Sequence, residues 1–395
     1  MTTSVRARLW KFSVQPNPDG TSDVVATEVG QGPLPVALSR LVHINALACD
    51  TRKIVDPRVR DHEVALLLSY LTSSTPGAPL TADVPALLAS SGHISRFVAE
   101  AAGLGVMTAA SECLLGWSEG DALHSFDVLP GHLVKQYGGG GVRPDLLFQL
   151  GTGPLAGEAR GRRRTSTKKL FPGKETPEQR RRLLQLAEWS TAHAGHAYFM
   201  SWVWIGHAGV GVDIFLPAAD GLDSGVDRSW IEEPGHAVWD IRAERRRDAY
   251  REAPAGPATD EEDDDTGAGG PLLHSLPTDV GAPSLREELE RAEARTDAAL
   301  TRRFETNGEV EGQVGGVLVR GRWVAADRLG PATHEVLLGV LAHRLPEPAV
   351  RRTRSARREQ ALDTHLNGRL LTVVRRIGEG RPTWDRITAD LLETP

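Results

Sequence analysis

The stretch VRPDLLFQLGTGPLAGEARGRRR, residues 142–164, carries two acids and five arginines, four of them after the second acid, in an order that could do chemistry. Asp145 opens one apolar run, Glu158 closes the next, and a Gly-Thr-Gly-Pro turn separates the runs. A hairpin built on that turn returns the second acid beside the first. Paired carboxylates repel each other unless a cation or a proton intervenes, so the pattern asks for a hard divalent ion held by oxygen ligands. Arg160, Arg162, Arg163 and Arg164 follow at once, and guanidinium groups suit phosphate. An ion held by two carboxylates beside a phosphate-binding surface can activate water and stabilise the charge that develops in phosphodiester hydrolysis. The competing reading of the same residues is a surface hairpin with a solvated basic tail.

Such a site needs elements to hold it. Residues 91–117 are mostly small and apolar with repeats at three and four, which predicts a buried helix, loosened near Gly103 and Gly105. Strands are expected at 145–150 and 155–160. Thr176 suits an N-cap and Pro177 the first helical position, starting a helix that stops near Gly195. AYFMSWVWI (197–205) and VGVDIFL (210–216) read as buried strands. The order of helix, two strands, helix and two strands predicts a mixed α/β sheet covered by helices.

Residues 1–90 read as an N-terminal α+β region of undisclosed role. It has a hairpin over 7–14 and 23–29, turning at 17–20, and helices at 58–72 and 82–90. Residues 218–284 are polar and include six consecutive acids at 260–265, so a partly disordered linker is expected there. Residues 285–395 read as mainly helical. A capping box at Ser284 and Glu287 starts one helix, a small hairpin over 309–325 turns at Arg320-Gly321-Arg322, and helices follow at 333–344 and 350–376.

Pro144-Asp145 on one strand and Glu158-Ala159-Arg160 on the next, flanked as RPDLLF and GEARGR, resemble the PD-(D/E)XK nuclease superfamily. The resemblance spans residues 91–217. It implies a restriction-endonuclease-like central sheet flanked by helices, and an endonuclease dependent on Mg2+ or Mn2+ that hydrolyses DNA in restriction, phage defence or repair. Asp145, Glu158 and the Ala159 carbonyl would be the metal ligands. Similar proteins often add an acid from the preceding helix, for which Glu100 is preferred over Glu112. Arg160 stands where the family has a lysine. Arginine stays charged and can clamp phosphate, but it cannot take a proton from water, so Lys168 or Lys169 could supply the amine instead. Arg162, Arg163, Arg164, Lys168 and Lys169 would track the nucleic-acid backbone, and Gln185 falls where a polar helper sometimes sits. The lysine-to-arginine departure keeps a second expectation open, a catalytically degenerate DNA-binding or adaptor protein. A third is a scaffold for defence proteins. DNA is the expected partner, with other defence-system proteins and a second copy of the chain left open.

Composition narrows the classes further. The chain has 395 residues, enough for more than one domain, and a formal net charge of −6. That total conceals segregation. Residues 160–182 hold ten Lys or Arg and two acids, and residues 351–376 hold eight Arg and two acids. Fields act locally, so the net charge does not exclude nucleic acid. Cys49 and Cys113 alone give neither a zinc ribbon nor a disulfide scaffold, which fits a reducing cytoplasm. No run of about 18 apolar residues suggests a membrane span. GxxxxGK[ST] and GxSxG are both absent. His193, His196 and His207 lack the companions of a zinc site, and Trp189, Trp202 and Trp204 sit at core-like positions.

Overall fold

The computed structural model describes residues 2–18, 20–52, 57–72, 79–117, 123–126, 137, 142–150, 153–164, 169–218, 285–306, 308–325, 334–345, 362–378 and 380–392. The expected linker, Lys168, the Gly-rich 138–141 and the basic stretch 346–361 lie outside these residues, apart from Ala218 at the linker's start.

The fold is mixed α/β with two main sheets. Strands β1 (Thr2–Pro16) and β2 (Ser22–Ala37) form a long antiparallel hairpin. Helices α1 (Leu38–Arg52), α2 (Pro57–Tyr70), α3 (Val84–Ala89) and α4 (Gly92–Leu115) follow, with the short pair β3 (Leu71–Thr72) and β4 (Thr81–Ala82) between α2 and α3. Then come β5 (Leu123–Ser125), β6 (Leu146–Leu150), β7 (Gly153–Arg163), α5 (Pro177–Ala192), β8 (Tyr198–Gly206) and β9 (Gly209–Pro217). The larger sheet runs β2-β1-β9-β8-β7-β6-β5. Its strands pair antiparallel except β7 with β8 and β1 with β9, which are parallel. The first 37 residues therefore belong to the central sheet through the β1–β9 ladder, which corrects their expected placement in a separate N-terminal region. Contacts this distant in sequence leave no local pattern.

Helices cover both faces of this sheet, and strand alternation sorts the side chains between them. Leu155 and Ala159 of β7, Phe199, Val203 and Ile205 of β8, and Val212 and Ile214 of β9 pack with α4 and α1. Ala156 of β7, Met200, Trp202 and Trp204 of β8, and Phe215 of β9 pack with Leu183, Leu186 and Trp189 of α5. The three tryptophans are core residues, as their positions suggested. α5 opens on a complete capping box: the Gln179 N–H donates to Thr176 Oγ1, and the Thr176 N–H donates to Gln179 Oε1.

α4 continues through Gly103 and Gly105, and the expected loosening does not occur. The glycines serve close approach instead. A methyl on Gly105 would overlap Leu41 of α1, and Gly103 lies against the Arg160–Gly161 backbone of β7. In return, a methyl on Gly161 would overlap the Ala99 carbonyl of α4. α4 is apolar enough to cross a membrane by composition, but 72% of that segment is buried within the protein.

The C-terminal region corrects the helical expectation. After α6 (Leu285–Thr306), it forms a five-stranded sheet in the order β10-β11-β12-β14-β13 and ends in α7 (Trp384–Leu392). The strands are β10 (Val310–Val314), β11 (Val317–Ala325), β12 (His334–Leu341), β13 (Asp363–Asn367) and β14 (Leu370–Arg376). All eight residues of β12 are buried, and burial on both faces erases the alternation that marks a strand. The β13–β14 turn is Gly368-Arg369, with Gly368 at φ +58°, so a two-residue turn with glycine first is the hairpin signal that a helical reading overrides. The β10–β11 turn lies at Gly315-Gly316, at φ +55° and +80°, and not at Arg320-Gly321-Arg322, which is inside β11. One face of this sheet packs on the α1 and α2 side of the main core through Val324, Val336, Leu338 and Val374. The other face packs on Ile387 and Leu391 of α7. Asp363 accepts the Ser39 N–H at 3.2 Å and also its hydroxyl, while His43 Nδ1 lies 3.0 Å from Thr372 Oγ1. Burial, together with His365 and Arg40, holds the His43 imidazole well below its ordinary pKa, so it serves there as a neutral group.

Gly161 tests the α4–β7 approach. Gly161→Ala should cost about 2–3 kcal/mol of stability by overpacking, measured as a shift in the urea midpoint. A midpoint equal to the wild type would contradict the packing described.

Candidate metal and phosphate site

β7 runs beyond the start of β6, and the two acids meet at that step. Leu146 is the register partner of Gly157. The Asp145 N–H, one residue before β6, also donates to the Gly157 carbonyl at 2.9 Å. Asp145 thereby steps out of the ladder, and its carboxylate takes the place of a strand: Oδ2 accepts the Ala159 N–H at 2.8 Å. In an extended strand a residue's N–H and C=O leave on the same edge. The Ala159 carbonyl therefore points past the end of the β6 pairing, on the edge where the Asp145 side chain is bound.

Glu158 lies one residue back, on the face covered by α5, and is 0% exposed. Its Oε1 accepts two charge-assisted hydrogen bonds from Arg182 of α5, from Nε at 2.8 Å and from Nη2 at 2.5 Å, and forms an ion pair with Arg160 Nη2 at 2.8 Å. Oε2 is equally enclosed and has no hydrogen-bond partner among the described residues. Burial is the chief cause that raises the Glu158 pKa, to about 8. The Asp145 charge adds to the rise, and Arg160 and Arg182 oppose it.

An enclosed, unmatched carboxylate oxygen next to a second acid is unfavourable unless a proton or a cation joins it. The donor set of two carboxylates and a main-chain carbonyl suits a hard divalent ion. Asp145, Glu158 and Ala159 thus fit the expected ligand set. Among the described residues no group of three or more His, Cys, Asp or Glu comes together, and a site completed by a main-chain oxygen is not such a group.

The remaining candidates divide. Glu100 is exposed on α4, which covers the sheet face opposite the Glu158 side chain. α4 docks through Ala99 and Gly103 against the backbone of β7, with the Glu100 backbone close to Gly161. Glu112 pairs with Arg40 of α1. Gln185 lies at the margin, its Oε1 3.5 Å from Arg182 Nη1.

Arg160, Arg162 and Arg164 follow one another at two-residue spacing beside the tryptophans of β8. Arg162 lies over Trp202 and pairs with Glu178 at 2.9 Å, and Arg164 lies over Trp204. Arg163 and Lys169 are exposed.

Arg182 is the residue that sequence reasoning missed. Its signal was helical spacing: Gln179, Leu183, Leu186 and Ser190 are the buried stripe of α5, and Arg182 flanks that stripe. Gln179 itself reaches a second enclosed acid. Asp213 of β9 is 0% exposed and accepts four hydrogen bonds. These come from Arg8 Nε at 2.6 Å, Trp10 Nε1 at 3.0 Å, Gln179 Nε2 at 3.1 Å and Trp204 Nε1 at 2.7 Å. Arg8 also donates to the Pro172 carbonyl at 2.9 Å and lies against Phe171. The loop after the arginines is thus tied back onto the sheet above Gly211, where a side chain would collide with Leu170 and Phe171.

The raised Glu158 pKa makes stability depend on pH. Below about 4.5 folded and unfolded chains both hold the proton, and above about 8 neither does. Between these values the folded chain holds more of it, so stability falls as pH rises, by up to about 1.4 kcal/mol per pH unit from this group. Glu158→Gln removes that slope. Urea midpoints of both proteins from pH 5 to 8.5 in metal-free buffer should converge at the acid end and separate at the alkaline end. Parallel curves would contradict the assignment.

No protein-family model, no curated protein and no solved structure matches this chain, so its own geometry carries the functional reading.

Proposed function

We propose that the chain is a Mg2+- or Mn2+-dependent phosphodiesterase acting on DNA, with its site at the β6–β7 step. The observation that carries this reading is the unmatched Glu158 Oε2, enclosed beside Asp145 at the strand step from which the Ala159 carbonyl leaves. Asp145 and Glu158 supply the negative charge for a divalent ion, and the Asp145–Ala159 hydrogen bond fixes one carboxylate against the backbone that carries the other. When bound, the cation would lower the pKa of water and offset charge on the phosphate. Arg160 and Arg162 of β7 and Arg164, just past its end, follow one another at about 6.6 Å at the usual strand rise. Rows of cations at that interval suit a phosphate chain, with the salt dependence that phosphate contacts bring. The element order of helix, acid-bearing hairpin, helix and strand supports a restriction-endonuclease-like core in which β1 and β2 widen the sheet.

One observation favours a second reading. Arg160 and Arg182 both occupy Glu158 Oε1, and neither can accept a proton. A protein with the same surface could bind DNA and leave it intact. The two readings separate in one assay, with plasmid and duplex oligonucleotide incubated with Mg2+, with Mn2+, or with chelator. The phosphodiesterase reading predicts metal-dependent cleavage that falls at least a hundredfold in Asp145→Ala and in Glu158→Ala, on the order expected for groups that stabilise transition-state charge. Cleavage surviving both changes would remove the site assignment. Salt-sensitive binding without cleavage under any metal would favour the second reading.

A further inference from the structure

We propose that Arg182 is a displaceable counter-ion. It closes Glu158 in the resting protein, and a nucleic-acid phosphate draws it off together with Arg160, opening the carboxylate to a divalent cation. The proposal rests on the phosphodiesterase reading and names how that same site is regulated.

Arginine and carboxylate pair best fork to fork, with two parallel bonds to two oxygens. At Glu158 both Arg182 hydrogen bonds and the Arg160 ion pair converge on Oε1, and Oε2 has no partner among the described residues. The pairing is therefore not the best geometry available to either guanidinium. A phosphodiester offers each of them a better match, with two charged oxygens spaced for bidentate contact. Both guanidinium groups keep a path outward, with side-chain exposures of 19% for Arg182 and 30% for Arg160. Gln185 Oε1, 3.5 Å from Arg182 Nη1, is a second acceptor within reach of Arg182. Arg160 is also the first of the Arg160, Arg162, Arg164 row, so a phosphate chain lying on that row arrives at this pair.

Electrostatics then couples the two ligands. Two guanidinium charges beside Glu158 oppose the entry of a divalent ion, and their transfer to phosphate removes that opposition. By linkage the effect is reciprocal: nucleic acid tightens cation binding, and the cation tightens nucleic-acid binding. The arginines would thus keep the site from holding metal until substrate is present.

The test is Mn2+ titration of the full chain by calorimetry, with and without a cleavage-resistant phosphorothioate duplex, corrected for Mn2+ bound by the duplex alone. The wild type should bind Mn2+ roughly tenfold more tightly with the duplex present, within the usual range of coupling between sites. Arg182→Gln alone should tighten Mn2+ binding by a similar factor and lose most of the coupling. Arg182→Lys, which keeps the charge, should stay near wild-type affinity. Asp145→Asn identifies the site by abolishing the binding. An Asp145-dependent Mn2+ site that responds neither to the duplex nor to Arg182→Gln would overturn the counter-ion role and leave the metal site standing. The wild-type coupling alone decides the question should Arg182→Gln not fold. Absence of any Asp145-dependent Mn2+ binding would overturn both proposals.

Discussion

A carboxylate cannot be closed off from water without a compensating charge, and Glu158 is closed off completely. Much of the central domain can be read as the answer to that constraint. Arg182 has to arrive from a helix, so α5 has to lie flat on one face of the sheet at a fixed height. Gln179, three residues earlier on the same helix, reaches Asp213, which is also closed off and is also answered by donors from several elements. α5 is therefore fastened to the sheet at two acids, on β7 and on β9, with Trp202 and Trp204 of β8 between them. Breaking such an arrangement leaves an uncompensated buried charge, typically at a cost of about 3–5 kcal/mol.

The two acids differ in a way that bears on function. Both oxygens of Asp213 are satisfied, two donors to each. Glu158 has two hydrogen bonds and an ion pair on one oxygen and, among the described residues, no partner on the other. The first is a carboxylate with both oxygens matched. The second is incomplete beside another carboxylate, and at the step where the strand edge opens. Completeness separates a fastening from a site more clearly than burial or charge does, because both residues are buried and both are acids.

How much was legible in the sequence follows from the range of each interaction. The hairpin carrying Asp145 and Glu158, the N-cap at Thr176 and the buried strands β8 and β9 are local patterns, and the structure has them where the residues pointed. The approach of Asp145 to the Glu158–Ala159 segment was legible because a two-stranded hairpin is the shortest route between them. The insertion of β1 beside β9 was not legible, since parallel pairing across some 200 residues has no local signature. Arg182 was hidden for another reason: in a run of three arginines, only the helical phase tells which one turns inward. The C-terminal strands failed through composition. Leucine-rich, doubly buried strands have neither of the two periods that sequence reading uses.

The central claim is that the unmatched oxygen of Glu158 belongs to a cation shared with Asp145 and the Ala159 carbonyl. Anomalous diffraction from crystals of the full chain grown with Mn2+ and a phosphorothioate duplex tests it most directly. The account predicts a manganese peak within ligand distance, about 2.0–2.6 Å, of Asp145, of Glu158 Oε2 and of the Ala159 carbonyl oxygen, with Arg182 turned to phosphate. Bound duplex with no manganese at these atoms, and with Arg182 still on Glu158 Oε1, would contradict it.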